Sequence, residues 1–366
     1  MKSRLLCALA ITVAASGANA QILIGQSAGM TGGQAEYSKD VRTGLLAYIE
    51  SVNRASGVFG QSIKLITEDD KGSSNQVVEN TKKLIEKDNV FALIGYTSGA
   101  GVERSLPIIE QAKVPMLSPA TGNAGIRLEF HRYLFHTRAG YADEMRRVVD
   151  TLTTVGMKRF ALVYLSDTTV NRKVMEDALT ANGLKAVAAI GLDRNSKSFG
   201  KEADMLAESD PQAILFITND KPVIEIVRAL RRKNYGGEFI AASFAGTGFI
   251  AELKADATGV KVTQVLPSPD RTSLRIVKEF REHLKAVDAN MKPNYTNFEG
   301  YVAARVLVEG LRRAGKGANR EKFVAALEGI SEIDLGGYQI GYGPKSRGGS
   351  RFVDIGVVSS RGNLVF

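Results

Sequence analysis

Gly25-Gln26-Ser27-Ala28-Gly29 has the spacing of a serine nucleophile. A Gly-x-Ser-x-Gly run after a short strand can lift a hydroxyl onto a sharp turn, and His131, His136 or His283 could serve it as base in an exported hydrolase. The context argues against that chemistry. An elbow of this kind leads directly into a helix, whereas here the polar loop Thr31-Gly32-Gly33-Gln34 intervenes, and no sheet precedes the motif. The three histidines are scattered. His131 and His136 are five residues apart, which does not align them on one helix face, and neither His-Glu-x-x-His nor a cysteine pair marks a zinc site. The expectation is no catalytic residue, no metal and no cofactor, with the histidines at surface or hinge positions.

Three other segments combine hydroxyls and small residues at the ends of apolar runs. The first is 27–37, which closes on Tyr37. The second is Gly95-Tyr96-Thr97-Ser98-Gly99-Ala100-Gly101, and the third is Ser118-Pro119-Ala120-Thr121-Gly122-Asn123. A strand-to-helix loop of this composition exposes backbone N–H groups and a hydroxyl at a helix N-terminus, which suits an anion. Each loop alone could be a turn capped by Ser or Thr. All three fall at the same edge of one sheet, where open α/β sheets bind ligands.

The elements that must position them follow a repeating rhythm. Short apolar runs at 22–24, 63–66, 91–94 and 114–117 alternate with segments of helical period at 44–52, 75–87 and 101–112. Ser38 is placed to cap the first helix. The pattern restarts with helices at 141–155, 172–181, 203–208 and 222–232 between strands at 160–164, 186–190, 213–217, 238–242 and 260–266. Two consecutive helices, 272–287 and 298–315, precede a Gly-rich tail with short strands. This alternation predicts an α/β protein of two doubly wound parallel-sheet lobes with the ligand cleft between them.

Composition sets the class. The chain has 366 residues, 44% of them hydrophobic, enough for large cores. Its net charge of +9 comes from Lys and Arg interleaved with Asp and Glu on helix faces, and no recognition module accompanies it, so nucleic acid is not an expected partner. Lys2 and Arg4, the apolar run 5–15 and Ala18-Asn19-Ala20 read as a secretory signal peptide over 1–20. The only cysteine, Cys7, lies within it. No later segment is long and apolar enough for a membrane span. These features predict a periplasmic protein without disulfides.

The chain resembles the periplasmic solute-binding proteins of the leucine/isoleucine/valine-binding type, the type I fold that serves ABC importers. The likeness runs through Gly29-Met30-Thr31-Gly32-Gly33-Gln34-Ala35-Glu36-Tyr37 and Gly57-Val58-Phe59-Gly60 before Glu68-Asp69-Asp70. It continues in Leu93-Ile94-Gly95 with Thr97-Ser98-Gly99, and in 114–121. It implies three crossings between lobes, which we place near 137–139, 267–269 and 336–343. Lobe 1 would be 21–138 with 268–338, and lobe 2 would be 139–267 with 339–366. It also implies a monomer delivering a small-molecule ligand to an inner-membrane ABC permease, the alternative being a ligand-presenting sensory subunit for a receptor or kinase. In the amino-acid binders, the ligand carboxylate falls at the positions of Thr97, Ser98 and Gly99. The ammonium falls at Ala120 and Thr121, and an aromatic cover at Tyr37. The acid that usually follows the strand at 238–242 is replaced here by Ser243-Phe244-Ala245-Gly246. An ammonium would then need Asp167 or Asp220, beside Asn219, and without one Phe244, with Phe298, would suit an aromatic or aliphatic acid.

Overall fold

A computed structural model describes residues 21–193 and 196–366; the signal-peptide reading, over residues 1–20, lies outside them. The first lobe opens with β1 (Ile22–Ala28), α1 (Ala35–Arg54), β2 (Ile63–Asp69), α2 (Ser74–Glu86), β3 (Ala92–Ile94), α3 (Gly99–Ala112), β4 (Met116–Leu117) and β5 (Leu134–Phe135). Its sheet is parallel throughout, in the order β2-β1-β3-β4-β5. The second lobe follows with α4 (Tyr141–Thr154), β6 (Phe160–Leu165), α5 (Thr169–Thr180), β7 (Ala186–Leu192), α6 (Gly200–Glu208), β8 (Ala213–Ile217), α7 (Asp220–Arg232), β9 (Glu238–Ala241), α8 (Gly248–Leu253) and β10 (Lys261–Gln264). The chain then returns to the first lobe with α9 (Arg275–Val287), α10 (Tyr295–Ala314), α11 (Arg320–Glu328) and the ribbon β11 (Ile333–Asp334), β12 (Gln339–Gly343) and β13 (Ser346–Gly349). Finally β14 (Asp354–Val358) and β15 (Leu364–Val365) close the second sheet in the order β15-β14-β10-β9-β8-β6-β7. In that sheet β14 runs antiparallel to β10.

The alternation of apolar strands and amphipathic helices thus yields the two α/β lobes. Ile24 on β1, Leu93 and Ile94 on β3, and Met116 and Leu117 on β4 are buried because helices cover both faces of a parallel sheet. Helices α1 and α10 pack tightly, with Gly44 and Gly300 each facing the partner backbone. A Cβ built on Gly300 would stand 2.1 Å from the Val41 carbonyl oxygen, so only glycine fits. Two expectations differ from the structure. Ser38 does not cap α1, which begins at Ala35; it is buried one turn in, within hydrogen-bond distance of the Thr97 hydroxyl (3.0 Å). The ribbon 333–349 packs on the first lobe, since Ile340 and Tyr342 belong to its core, so the third passage between lobes falls after Gly349 and not within 336–343.

The passages are tied to one another. The Tyr338 hydroxyl donates to the carbonyls of Thr137 (2.8 Å) and Val265 (3.1 Å), which joins the first two. The His136 N–H donates to the Arg347 carbonyl (2.9 Å), and the Tyr342 hydroxyl donates to the His136 carbonyl (2.7 Å), which ties the ribbon to the first passage.

Candidate ligand cleft

The parallel strands of both lobes end facing the same gap. At the end of β3, Gly95 (φ +61°) turns the chain into the loop that starts α3. Ser98 caps that helix, its hydroxyl accepting the Gly101 N–H at 3.1 Å. Gly99 lets this loop approach the next one, for a Cβ there would lie 2.8 Å from the Asn123 Cβ and 3.0 Å from the Thr121 hydroxyl. Thr121 accepts the Asn123 N–H (3.2 Å) and reaches Tyr141 (3.4 Å). After β2, Ser73 caps α2 and brings a second helix N-terminus to the gap. From the other lobe come Asp167, Thr168 and Asn171 at the start of α5, with Phe244 tilted against Tyr141 at 6.0 Å.

These residues line a cavity of about 220 Å³. Its walls hold the N-terminal turns of α2, α3 and α5, each carrying free N–H groups and the positive end of a helix dipole. Among the described residues no Lys, Arg or His lines it, and Asp167 is its one charged side chain. The helix N-termini are therefore the source of positive potential in this wall, with Asp167 opposing them. The wall can hold an anionic group by several short hydrogen bonds without an ion pair.

Of the residues singled out from sequence, Thr97, Ser98, Gly99, Thr121, Asp167 and Phe244 come together here. Tyr37 and Ala120 instead engage each other, the phenol donating to the Ala120 carbonyl at 2.7 Å. Burial, with Glu299 nearby, pushes the Tyr37 phenol well above its ordinary range. Asn219 and Asp220 stand at the start of α7 outside this cavity, where the Asp220 carboxylate accepts the Lys221 N–H (2.8 Å). Phe298 is a correction. It is fully buried in the first-lobe core, its ring 4.8 Å from Phe280, because it shares the inward stripe of α10 with Tyr301 and Val302. Ser27 is equally settled: it is buried within β1, donates to Asp70 (3.2 Å) and accepts from Asn80 (3.0 Å), so no elbow presents it. Sequence reading passed over Ser73, Ser74 and Asn75, although a Ser-Ser-Asn run between a strand end and a helix is a visible signal. Asn123 closes the third loop singled out from sequence, whereas Tyr141 and Asn171 carry no such local mark.

Beneath the cleft a buried ion network spans the first passage. Arg138 donates to Glu144 of α4 (2.7 Å), to Glu299 of α10 (3.3 Å) and to the Ser243 hydroxyl. Glu144 in turn accepts from the Ser243 N–H (2.8 Å) and from Thr263. Arg138 is 2% exposed and Glu144 is 0% exposed. Burial alone would weaken the Arg138 charge, but Glu299 and Glu144 outweigh it and raise its pKa, while burial raises that of Glu299. The Ser243 loop thus meets a carboxylate after all, one contributed by α4 and already neutralised by Arg138.

The family described as periplasmic binding protein matches residues 21–362. The chain belongs to the periplasmic binding protein family. Among relatives of this periplasmic binding protein, the leucine-, isoleucine-, valine-, threonine-, and alanine-binding protein of Pseudomonas aeruginosa is 25% identical over 341 residues, covering 89% of this chain and 87% of that one. Among solved structures, an extracellular ligand-binding receptor from Verminephrobacter eiseniae superposes with a TM-score of 0.88 at 26% identity, over 95% of this chain and 100% of the other. A substrate-binding periplasmic protein from Ralstonia solanacearum does so with 0.88 at 27%, over 94% and 99%. The two-lobed architecture and the cleft agree with the solute-binding role of this family.

Proposed function

We propose that this periplasmic binding protein is the solute receptor of an ABC importer, taking a small organic carboxylate between its lobes and presenting the closed form to an inner-membrane permease. The observation that carries the reading is the convergence of three helix N-termini on one cavity with no basic side chain in its wall. A carboxylate oxygen set against the Ser98 hydroxyl and the first N–H groups of α3, with the Thr121 hydroxyl beside it, satisfies donors that otherwise face the gap. The ligand's differential affinity for the closed arrangement then drives closure. The leucine, isoleucine, valine, threonine and alanine that the Pseudomonas aeruginosa relative is named for binding all carry a carboxylate, in agreement with this reading.

The test is calorimetric titration of the mature protein and of the double variant Ser98→Ala with Thr121→Ala. Two hydrogen bonds to a charged group are worth about 1.5–3 kcal/mol each, so affinity for the carboxylate ligand falls by ~100-fold or more. Unchanged affinity in a folded double variant removes this site assignment.

A further inference from the structure

Asn171 lines the cavity from the second lobe in the first turn of α5, is 3% exposed, and has no hydrogen-bond partner for its side-chain oxygen. A buried acceptor left in that state costs about 1–3 kcal/mol. Beside it, α5 starts without a side-chain cap, because Thr168 turns its hydroxyl back to the Leu165 carbonyl (3.0 Å). The first N–H groups of a helix have no partner within the helix. At one corner of the cavity a buried, unanswered acceptor therefore sits beside the uncapped first turn of α5, where the Asn171 N–H is already taken by the Thr168 carbonyl (2.9 Å).

A carboxylate cannot supply a donor to that acceptor. An ammonium cannot accept from the helix. A primary carboxamide does both, its carbonyl on the α5 N–H groups and its NH2 on Asn171. Asp167 on the same wall opposes a second full negative charge, which also selects the neutral amide. Among the described residues no Val, Leu, Ile or Met lines the wall, and its apolar side chains are Ala100 and the rings of Tyr141 and Phe244. We infer that the ligand is a short acid carrying a terminal carboxamide, its carboxylate held by α3 and its amide read by Asn171 and the start of α5. This rests on the carboxylate reading above and names the class of solute.

Two isosteric pairs test it on the mature full chain: L-asparagine against L-leucine, and succinamate against 4-methylpentanoate. In each pair the amide replaces a branched alkyl end of the same shape, and only the first pair carries an ammonium. A site built to hydrogen-bond a group rejects the analogue that lacks it. The expected result is at least ~10-fold tighter binding of the amide in one pair or both. In Asn171→Ala that preference shrinks to under ~3-fold, and in Asn171→Asp, which keeps the volume and the acceptor, it persists, with circular dichroism verifying both folds. Alkyl acids that bind as tightly as their amides overturn the amide assignment and leave the carboxylate reading standing. An amide preference that survives in folded Asn171→Ala overturns the role of Asn171. Failure of all four probes to bind the folded wild type overturns both readings together.

Discussion

Replacing Arg138 by Met tests whether the ion network beneath the cleft behaves as a desolvated unit. The guanidinium meets Glu144 at 2.7 Å and Glu299 at 3.3 Å, and its Nε donates to the Ala139 carbonyl at 3.1 Å. At an effective dielectric of about 20, those two charge pairs have gross energies of roughly 6 and 5 kcal/mol. Much of this offsets the cost of taking the arginine out of water. What the variant feels is the stranding of two buried carboxylates, a perturbation that typically costs about 3–5 kcal/mol. Methionine preserves much of the volume, so packing adds little. The sign of the pH dependence follows from Glu299. Its pKa in the folded chain is raised by burial even with Arg138 present, and loss of the arginine raises it further. A carboxyl with a raised folded pKa supports the fold while protonated and opposes it as pH rises through that value. The deficit of Arg138→Met therefore grows as pH rises above the ordinary glutamate range. Urea unfolding followed by tyrosine emission reads it directly, since the chain has 11 Tyr and no Trp. A loss under about 1 kcal/mol that stays flat from pH 5 to 8 would refute the reasoning and mean that water screens the network.

Three further outcomes follow from the same structure. Gly300→Ala sets a methyl 2.1 Å from the Val41 carbonyl oxygen, forces α1 and α10 apart, and lowers stability by about 3 kcal/mol or more in urea melts. Phe298→Ala removes a fully buried ring, costs about 3–5 kcal/mol, and leaves ligand affinity within ~2-fold by calorimetry, which separates core from cleft. Asp40, accepting from the Asn294 amide at 2.8 Å, has its pKa raised by burial from 3.8 to about 6. Its penalty is absent below pH 4 and complete above pH 6. Asp40→Asn then gains ~1 kcal/mol at pH 8, after discounting for partial exposure, and nothing at pH 4, as thermal melts at both pH values would report.

Much of this architecture was legible because period and punctuation agree over long segments. Residues 75–87 show an apolar stripe, and α2 spans Ser74–Glu86. Short elements escaped. The strand β5 is only Leu134–Phe135, too brief for alternation to register, and α11 buries just Phe323, Val324 and Leu327 behind the cap Asn319. The Gly-rich stretch 336–343 looked like a change of lobe, but its glycines serve turns with positive φ at Gly336 and Gly337 while the intervening Tyr338 and Tyr342 anchor the first lobe. In the cleft, the loops that follow parallel strands announced themselves by composition. Partners set by tertiary placement did not. Arg138 finds Glu299 161 residues away, and Asn171 reaches the cavity because α5 docks beside the turn at 124–126. Phe298 shows the converse error, an aromatic at a helix start read as a contact when its spacing to Tyr301 and Val302 marks the inward face.

The most direct test of the central claim is native mass spectrometry of the purified protein, with the bound molecule released by denaturation and identified. The account predicts a small acid with at least one carboxyl group, carried by the wild type and lost from the Ser98→Ala, Thr121→Ala variant. A bound molecule with no acidic group, or the same molecule retained at equal occupancy by that variant, would contradict it.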